Sequence, residues 1–134
     1  MSTLRKVIPL RWNDFDVLGH VNNVRYFEFM QDARVGLVER MQISKSDLAE
    51  IGHVVAHQEI DYLKPIPMDA TEIVVDAFVT KIGAASYDVS YEISDGNGLI
   101  YAKSSTVMVT FDVNADSVVR IPESLRQELT KLQK

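Results

Sequence analysis

One segment limits the fold of this chain more than any other. Asn23 to about Met41 reads as a single long helix, and no other stretch supplies a second crossover helix. At about 100° per residue, Tyr26, Phe27, Met30, Ala33, Leu37, Val38 and Met41 cover one broad arc. Arg25, Glu28, Asp32 and Glu39 make a narrow polar stripe opposite. So broad an apolar arc predicts a helix largely enclosed by other structure. Parallel strands need a crossover of helical size between them, so one such helix points to antiparallel pairing.

The remaining segments read mostly as strands. Thr3 to Trp12 mixes apolar and basic residues and includes Pro9, which suits an edge strand. Ser44 to Gly52 predicts a short helix capped by Ser44 or Ser46 and ended by Gly52. His53 to Leu63 is strand-like and stops at Lys64-Pro65-Ile66-Pro67. Thr71 to Ile82 is rich in β-branched residues, and Gly83-Ala84-Ala85 turns it back.

Tyr87 to Ser94 alternates cleanly: Tyr87, Val89, Tyr91 and Ile93 face one way, Asp88, Ser90, Glu92 and Ser94 the other. Asp95-Gly96-Asn97-Gly98 is a hairpin turn. Leu99 to Asp112 then makes a strand of roughly 45 Å, long enough that it must twist and curve. Ile121-Pro122-Glu123-Ser124 leads into a short C-terminal helix docked by Leu125 and Leu129. The expected architecture is α+β, one helix lying across a curved antiparallel sheet, in a single domain over residues 1–134.

Composition removes several classes of function. The chain has no cysteine, which excludes disulfides, thiolate nucleophiles and thiolate metal sites together. A formal net charge of −5 argues against a nucleic-acid partner. No apolar run approaches the roughly 18–20 residues of a membrane span, and the N-terminus lacks the apolar core of a signal peptide. The expectation is a cytoplasmic protein with no membrane partner. An anionic ligand would have to be held by local Lys or Arg groups or by helix-terminal amides, because the overall field repels it.

Among catalytic motifs, GxSxG, the phosphate loop and GxGxxG are all absent. The imidazoles are His20, His53 and His57. The last two, four apart in a predicted strand, would share a face about 13 Å apart, too far to chelate one metal. No metal site and no cofactor are expected. Arg34 falls inside the apolar arc, where a guanidinium needs a partner. An ion pair at the helix–sheet junction is the expectation; a clamp on a substrate phosphate is the alternative.

The stretch WNDFDVLGHVNNVRYFEF, Trp12 to Phe29, holds the remaining chemistry. A helix start presents unpartnered N–H groups backed by the positive end of the helix dipole, and these can polarise a carbonyl. A carboxylate held nearby by a turn at Gly19 can activate water or attack directly. Together these are a minimal kit for hydrolysing an activated acyl group such as a thioester, whose thiolate leaves without a strong general acid. Asp and Asn before a helix are also ordinary caps. Val21-Asn22-Asn23 would cap this helix unaided, which leaves Asp16 without an evident structural task.

The segment DFDVLGHVNNVRYFEFMQDAR resembles the signature of the 4-hydroxybenzoyl-CoA thioesterase group of hotdog-fold acyl-CoA thioesterases, and the corresponding segment of plant acyl-ACP thioesterases. The resemblance extends through Tyr62-x-x-Pro65, Asp69 and the Ile82-Gly83 turn. It implies a hotdog fold, in which a curved sheet wraps a long helix. It also implies homodimers whose sheets join, assembling into homotetramers, with active sites between subunits.

On this resemblance Asp16 is the catalytic aspartate, as nucleophile or general base. The helix-start amides near Asn22 and Asn23 polarise the carbonyl, Gly19 permits the turn, and Tyr26 lines the acyl end. Some bacterial relatives carry histidine at the position of Asn23. The plant enzymes carry asparagine at that of Leu18, used with the histidine matching His20. With Leu18 apolar that network is incomplete, so His20 is expected to shape the loop. Lys64, Lys81, Lys103 and Arg25 are candidates for coenzyme A contacts. The leading expectation is an acyl-CoA thioesterase, with acyl-ACP as a further substrate class. The alternatives are a hydratase of enoyl or 3-hydroxyacyl thioesters, and a non-catalytic acyl-thioester binding module.

Overall fold

The computed structural model describes residues 3–41 and 51–134. Strand β1 (Thr3–Pro9) runs into a single 3-10 turn (Trp12–Asp14) and then helix α1 (Arg25–Arg40). Four long strands follow: β2 (Ile51–Tyr62), β3 (Glu72–Ile82), β4 (Ser86–Ser94) and β5 (Ile100–Asp112). A two-residue strand β6 (Ser117–Val118) and helix α2 (Glu123–Lys131) complete the chain. Neighbouring strands pair antiparallel in the order β1-β3-β4-β5-β2, with β6 on β5.

The alternation in β4 creates the core face. Tyr87, Val89, Tyr91 and Ile93 are each 2% exposed or less. Their partners Met108, Thr106, Ser104 and Ala102 on β5 stand on the same side of the sheet, as do Ile73, Val75, Ala77 and Val79 of β3. Helix α1 covers this face over β1 and β3, burying Tyr26, Phe29, Met30, Ala33 and Leu37. Gly36 permits that approach, since a Cβ there would come within 2.7 Å of Leu4 Cδ2. Phe27 and Val38, both in the expected arc, are only half-buried. The buried stripe is rotated toward Phe29, and Phe27, Arg34 and Val38 lie along its flank.

Pro9 ends β1, which is an edge strand as its composition predicts. The other edge is β2. Its pairing with β5 shifts at Ala56, where Val55 faces Met108 and His57 faces Val107. This bulge turns His57 to the opposite face from His53, so the two histidines do not share a side. His53 Nδ1 lies 2.7 Å from the Tyr87 hydroxyl, and His57 is exposed beside Glu59. Val54, Val55, Tyr62 and Leu63 are all exposed along or beside this edge. Residues 44–50 of the expected Ser44–Gly52 helix lie outside the described residues, and its last two belong to β2. Helix α2 docks through Leu125 and Leu129 as its pattern predicts.

Candidate active site

The loop between β1 and α1 is built on two aspartates with different tasks. Asp14 is 1% exposed. Its Oδ2 accepts the Arg11 N–H at 2.8 Å, and Oδ1 lies 3.4 Å from Arg11 Nη2 and 3.9 Å from Arg25 Nε. Its carbonyl accepts the Asn22 N–H at 2.8 Å. A buried carboxylate so surrounded is a brace, tying the end of β1 to the start of α1.

Asp16 closes the tighter turn. Its N–H donates to the His20 carbonyl at 3.0 Å, and its own carbonyl accepts the Gly19 N–H at 3.1 Å. Gly19 takes φ +80°, a left-handed conformation that glycine adopts without Cβ strain. The Asp16 carboxylate accepts the Leu18 N–H at 2.9 Å through Oδ1 and the Asn22 side-chain amide at 3.2 Å through Oδ2. The expectation that Asp16 lacks a structural task is therefore corrected: its carboxylate caps its own turn and is oriented by Asn22.

Asn22 is the joint of the site. Besides holding Asp16, its Oδ1 accepts the Val24 N–H at 2.9 Å and its carbonyl accepts the Arg25 N–H at 3.0 Å. These bonds close the turn that leads into α1, which begins at Arg25, two residues later than expected, with Val24 at its N-cap and no side chain bonded there as a cap. The Asn22 N–H is already committed to Asp14. The Asn23 N–H has no acceptor among the described residues, while the Asn23 carbonyl accepts the Tyr62 hydroxyl at 2.9 Å. Of the two asparagines, Asn23 is the one whose amide is free to meet a ligand.

Tyr62 also meets Tyr26 edge to face, with ring centroids 4.9 Å apart. A cavity of about 220 Å³ opens here, lined by Val21, Asn23, Tyr26, Tyr62, Leu63, Lys64 and Pro65. A second, of about 510 Å³, is lined by Trp12, Asn13, Phe15, Asp16, Val17 and Met68. Asp16 and Asn23 therefore line separate hollows, with Asn22 bonded to Asp16 and next to Asn23 in the chain. Burial pushes the Tyr26 phenol up to about 12, against a hydrogen bond with the Ile66 backbone. Burial also raises Tyr62, opposed by its bond to Asn23. Both phenols stay protonated near neutral pH, so they serve as donors and walls, not as bases.

His20 contributes backbone rather than imidazole: its side chain is exposed, and its main chain bridges Pro67. Of the four cations expected near a coenzyme, Arg25 is engaged with Glu28 at 2.8 Å, while Lys64 lines the cavity at the helix start. Arg34 makes no ion pair with a described carboxylate, which corrects the expectation of one. Its Nη1 lies 3.1 Å from the Tyr91 hydroxyl, 3.4 Å from Thr106 Oγ1 and 3.5 Å from Gln58 Oε1. Among the described residues no group of three His, Asp or Glu side chains is placed to hold a metal ion, and no helix is long and apolar enough to cross a membrane. The role of Tyr62 at the helix start was missed in the sequence, because its partner lies 39 residues away.

Comparison with known proteins places this site in context. The model of the thioesterase-like superfamily matches residues 10–129. The long-chain acyl-CoA thioesterase FadM of Escherichia coli is 26% identical over 129 residues, covering 95% of this chain and 97% of FadM. The Bacillus subtilis protein YsmA is 26% identical over 84 residues, which span 63% of this chain and about half of YsmA, 56%. A crystal structure of a Pseudomonas aeruginosa protein superposes with a TM-score of 0.85 at 27% identity, covering 98% of this chain and 92% of the other.

Proposed function

The chain belongs to the thioesterase-like superfamily and has its hotdog fold, and from that premise we propose that it hydrolyses an acyl-CoA thioester to the free acid and coenzyme A. The observation that carries this reading is the arrangement around Asn22. One side-chain amide fixes the Asp16 carboxylate, and the same residue's Oδ1 holds the Val24 N–H in the turn entering α1, beside an Asn23 N–H that is unspent.

In this mechanism the thioester lies across Asn22 between the two hollows, with its carbonyl carbon toward Asp16. Its oxygen sits on the Asn23 N–H, at the positive end of α1, which stabilises the oxyanion as the tetrahedral adduct forms. Asp16 either takes a proton from the attacking water or attacks the carbonyl itself. The C–S bond then breaks and the thiolate leaves. In the water route the proton held by Asp16 goes to that thiolate. In the direct route a mixed anhydride with Asp16 remains, and water hydrolyses it to the free acid and the Asp16 carboxylate, the released proton going to the thiolate. The phenol of Tyr62 holds the Asn23 carbonyl, so the peptide plane next to the reacting oxygen does not swing. Tyr26 walls the acyl end, Gly19 and His20 shape the turn, and Lys64 offers a cation to the coenzyme's anionic part.

A long-chain acyl-CoA thioesterase among the relatives supports coenzyme A thioesters as the substrate class, with acyl-ACP as a second carrier form. The edge of β2, unpaired among the described strands, supports a homodimer in which two β2 strands join, and pairing of such dimers gives a homotetramer. Thiol release from short-, medium-, long-chain and aromatic acyl-CoAs tests the reading. The wild-type protein releases thiol from at least one, and Asp16→Asn lowers the rate by roughly 100-fold or more. No release from any acyl-CoA sinks the thioesterase reading; release unchanged in the variant moves the chemistry away from Asp16.

A further inference from the structure

Arg34 is a cation that the hydrolytic step does not use. It lies two helical turns, about 11 Å, beyond Phe27 on the flank of α1 that the core stripe leaves half-exposed. Its hydrogen-bond partners among the described residues are all neutral: the Tyr91 hydroxyl, Thr106 Oγ1 and Gln58 Oε1, all on Nη1. Its Nε and Nη2 have no acceptor among the described residues. A half-buried guanidinium with neutral neighbours and unspent donors is prepared for an oxygen acid.

Ser104 gives a second, independent sign. It is 8% exposed, and its Oγ has no hydrogen-bond partner among the described residues. It stands opposite Tyr91 on β4 and Ile60 on β2, so it occupies the core face, one pleat nearer the helix start than Thr106. Leaving a buried hydroxyl unpaired is unfavourable, and native structures rarely do so without a ligand or water. Helix α1 packs over β1 and β3, so the β5–β2 half of this face borders its flank. Along β2 the same face carries Tyr62, Ile60 and Gln58, with Ile60 and Gln58 half-buried. Tyr62 borders the cavity at Asn23, and Gln58 lies about 13 Å farther along the strand.

We infer that the strip between the flank of α1 and β2 seats a medium-length acyl group, and that Arg34 and Ser104, with Gln58, recognise an oxygen function at its far end, foremost a carboxylate. The preferred substrates are then mono-thioesters of dicarboxylic acids rather than plain fatty acyl thioesters. This rests on the proposed thioester reading and specifies its substrate. A terminal carboxylate supplies two acceptors in the planar geometry a guanidinium binds best and takes the Ser104 hydroxyl as a third donor. A methyl terminus would leave both groups desolvated and unmatched.

The test compares kcat/KM for decanoyl-CoA, ω-hydroxydecanoyl-CoA and the decanedioyl mono-thioester of coenzyme A. Wild-type protein favours the decanedioyl over the decanoyl thioester by roughly tenfold or more, with the hydroxy substrate between them. Arg34→Met brings that ratio close to one, and Arg34→Lys restores part of it. Ser104→Ala, a small deletion the fold accommodates readily, lowers the ratio without abolishing it. A wild-type ratio at or below one overturns the inference, as does a ratio untouched by Arg34→Met. Calorimetry with the matching ketone analogues, which cannot be hydrolysed, keeps the two readings apart. Binding preference without thiol release from any thioester would overturn hydrolysis and leave the subsite standing. Thiol release without preference would overturn the subsite alone.

Discussion

At the scale of single residues, the site depends on Asn22 more than on any neighbour, because three of its polar groups are bonded within the loop and a fourth starts the helix. Asn22→Ala removes the acceptor of the Val24 N–H and the donor to Asp16 together. Loss of these two turn hydrogen bonds costs about 1 kcal/mol of stability, visible as a lower denaturant midpoint. The larger effect falls on kcat, by about tenfold or more, because Asp16 keeps only the Leu18 N–H to fix its carboxylate. Tyr62→Phe separates positioning from folding. It keeps the ring against Tyr26 and deletes only the hydroxyl on Asn23, so kcat falls severalfold while the midpoint moves little. A kcat unchanged in both variants would show that neither residue positions the reacting groups. The types of Asp16, Gly19 and Asn23 marked this loop in the sequence. The distinction between Asn22 and Asn23 did not show there, since it depends on which amide Asp14 captures across the turn.

Elements were legible to the extent that their causes are local. The turn at Gly19 is the clearest case, and it carries a prediction. At φ +80° a Cβ meets only Met68, no closer than 3.8 Å, so substitution there is a problem of backbone conformation and not of space. Gly19→Ala should therefore destabilise by about 1–2 kcal/mol and lower thiol release, whereas Gly19→Asn, which tolerates the left-handed region, should recover most of both. Equal losses in the two variants would point to crowding instead. The strict alternation of β4 and the Asp95–Gly98 turn likewise reached their observed form from local pattern alone. The bulge in β2 did not: nothing in Val54-Val55-Ala56-His57 announces an extra residue, and the slip appears only against the register of β5. Its consequence was a wrong face for His57. The buried face of α1 departs from its sequence pattern for a related reason. Phe29 is buried in the core while Phe27 packs against it only half-buried, and the close approach of Gly36 to Leu4, a contact between distant segments, fits that position of α1.

For the whole molecule, the strand order β1-β3-β4-β5-β2 leaves β2 with a neighbour on one side only among the described strands. Its twelve residues form a long edge, with Val54 at 44% and Val55 at 43% exposure near its middle. Edges of this length attract another strand unless charge, proline or a bulge blunts them; here the charged Glu59 and Asp61 lie toward one end, and Val54-Val55-Ala56 is an aliphatic run before the bulge. A second copy is the partner that the proposed function gives it. Two antiparallel β2 strands related by a two-fold axis bring residues near the middle of each close to their own counterparts in the other. Like charges placed there repel across the pair. Replacing Val54 and Val55 together by lysine should then convert the dimer to monomer, read by light scattering or sedimentation at micromolar concentration. The same edge ends at Tyr62, whose hydroxyl holds the helix start, and the strip leading to Arg34 runs beside it. Dissociation should therefore lower thiol release as well, and raising the protein concentration should restore both together. A monomer with full activity would show that each chain completes its own site; an unchanged dimer would place the interface on another surface.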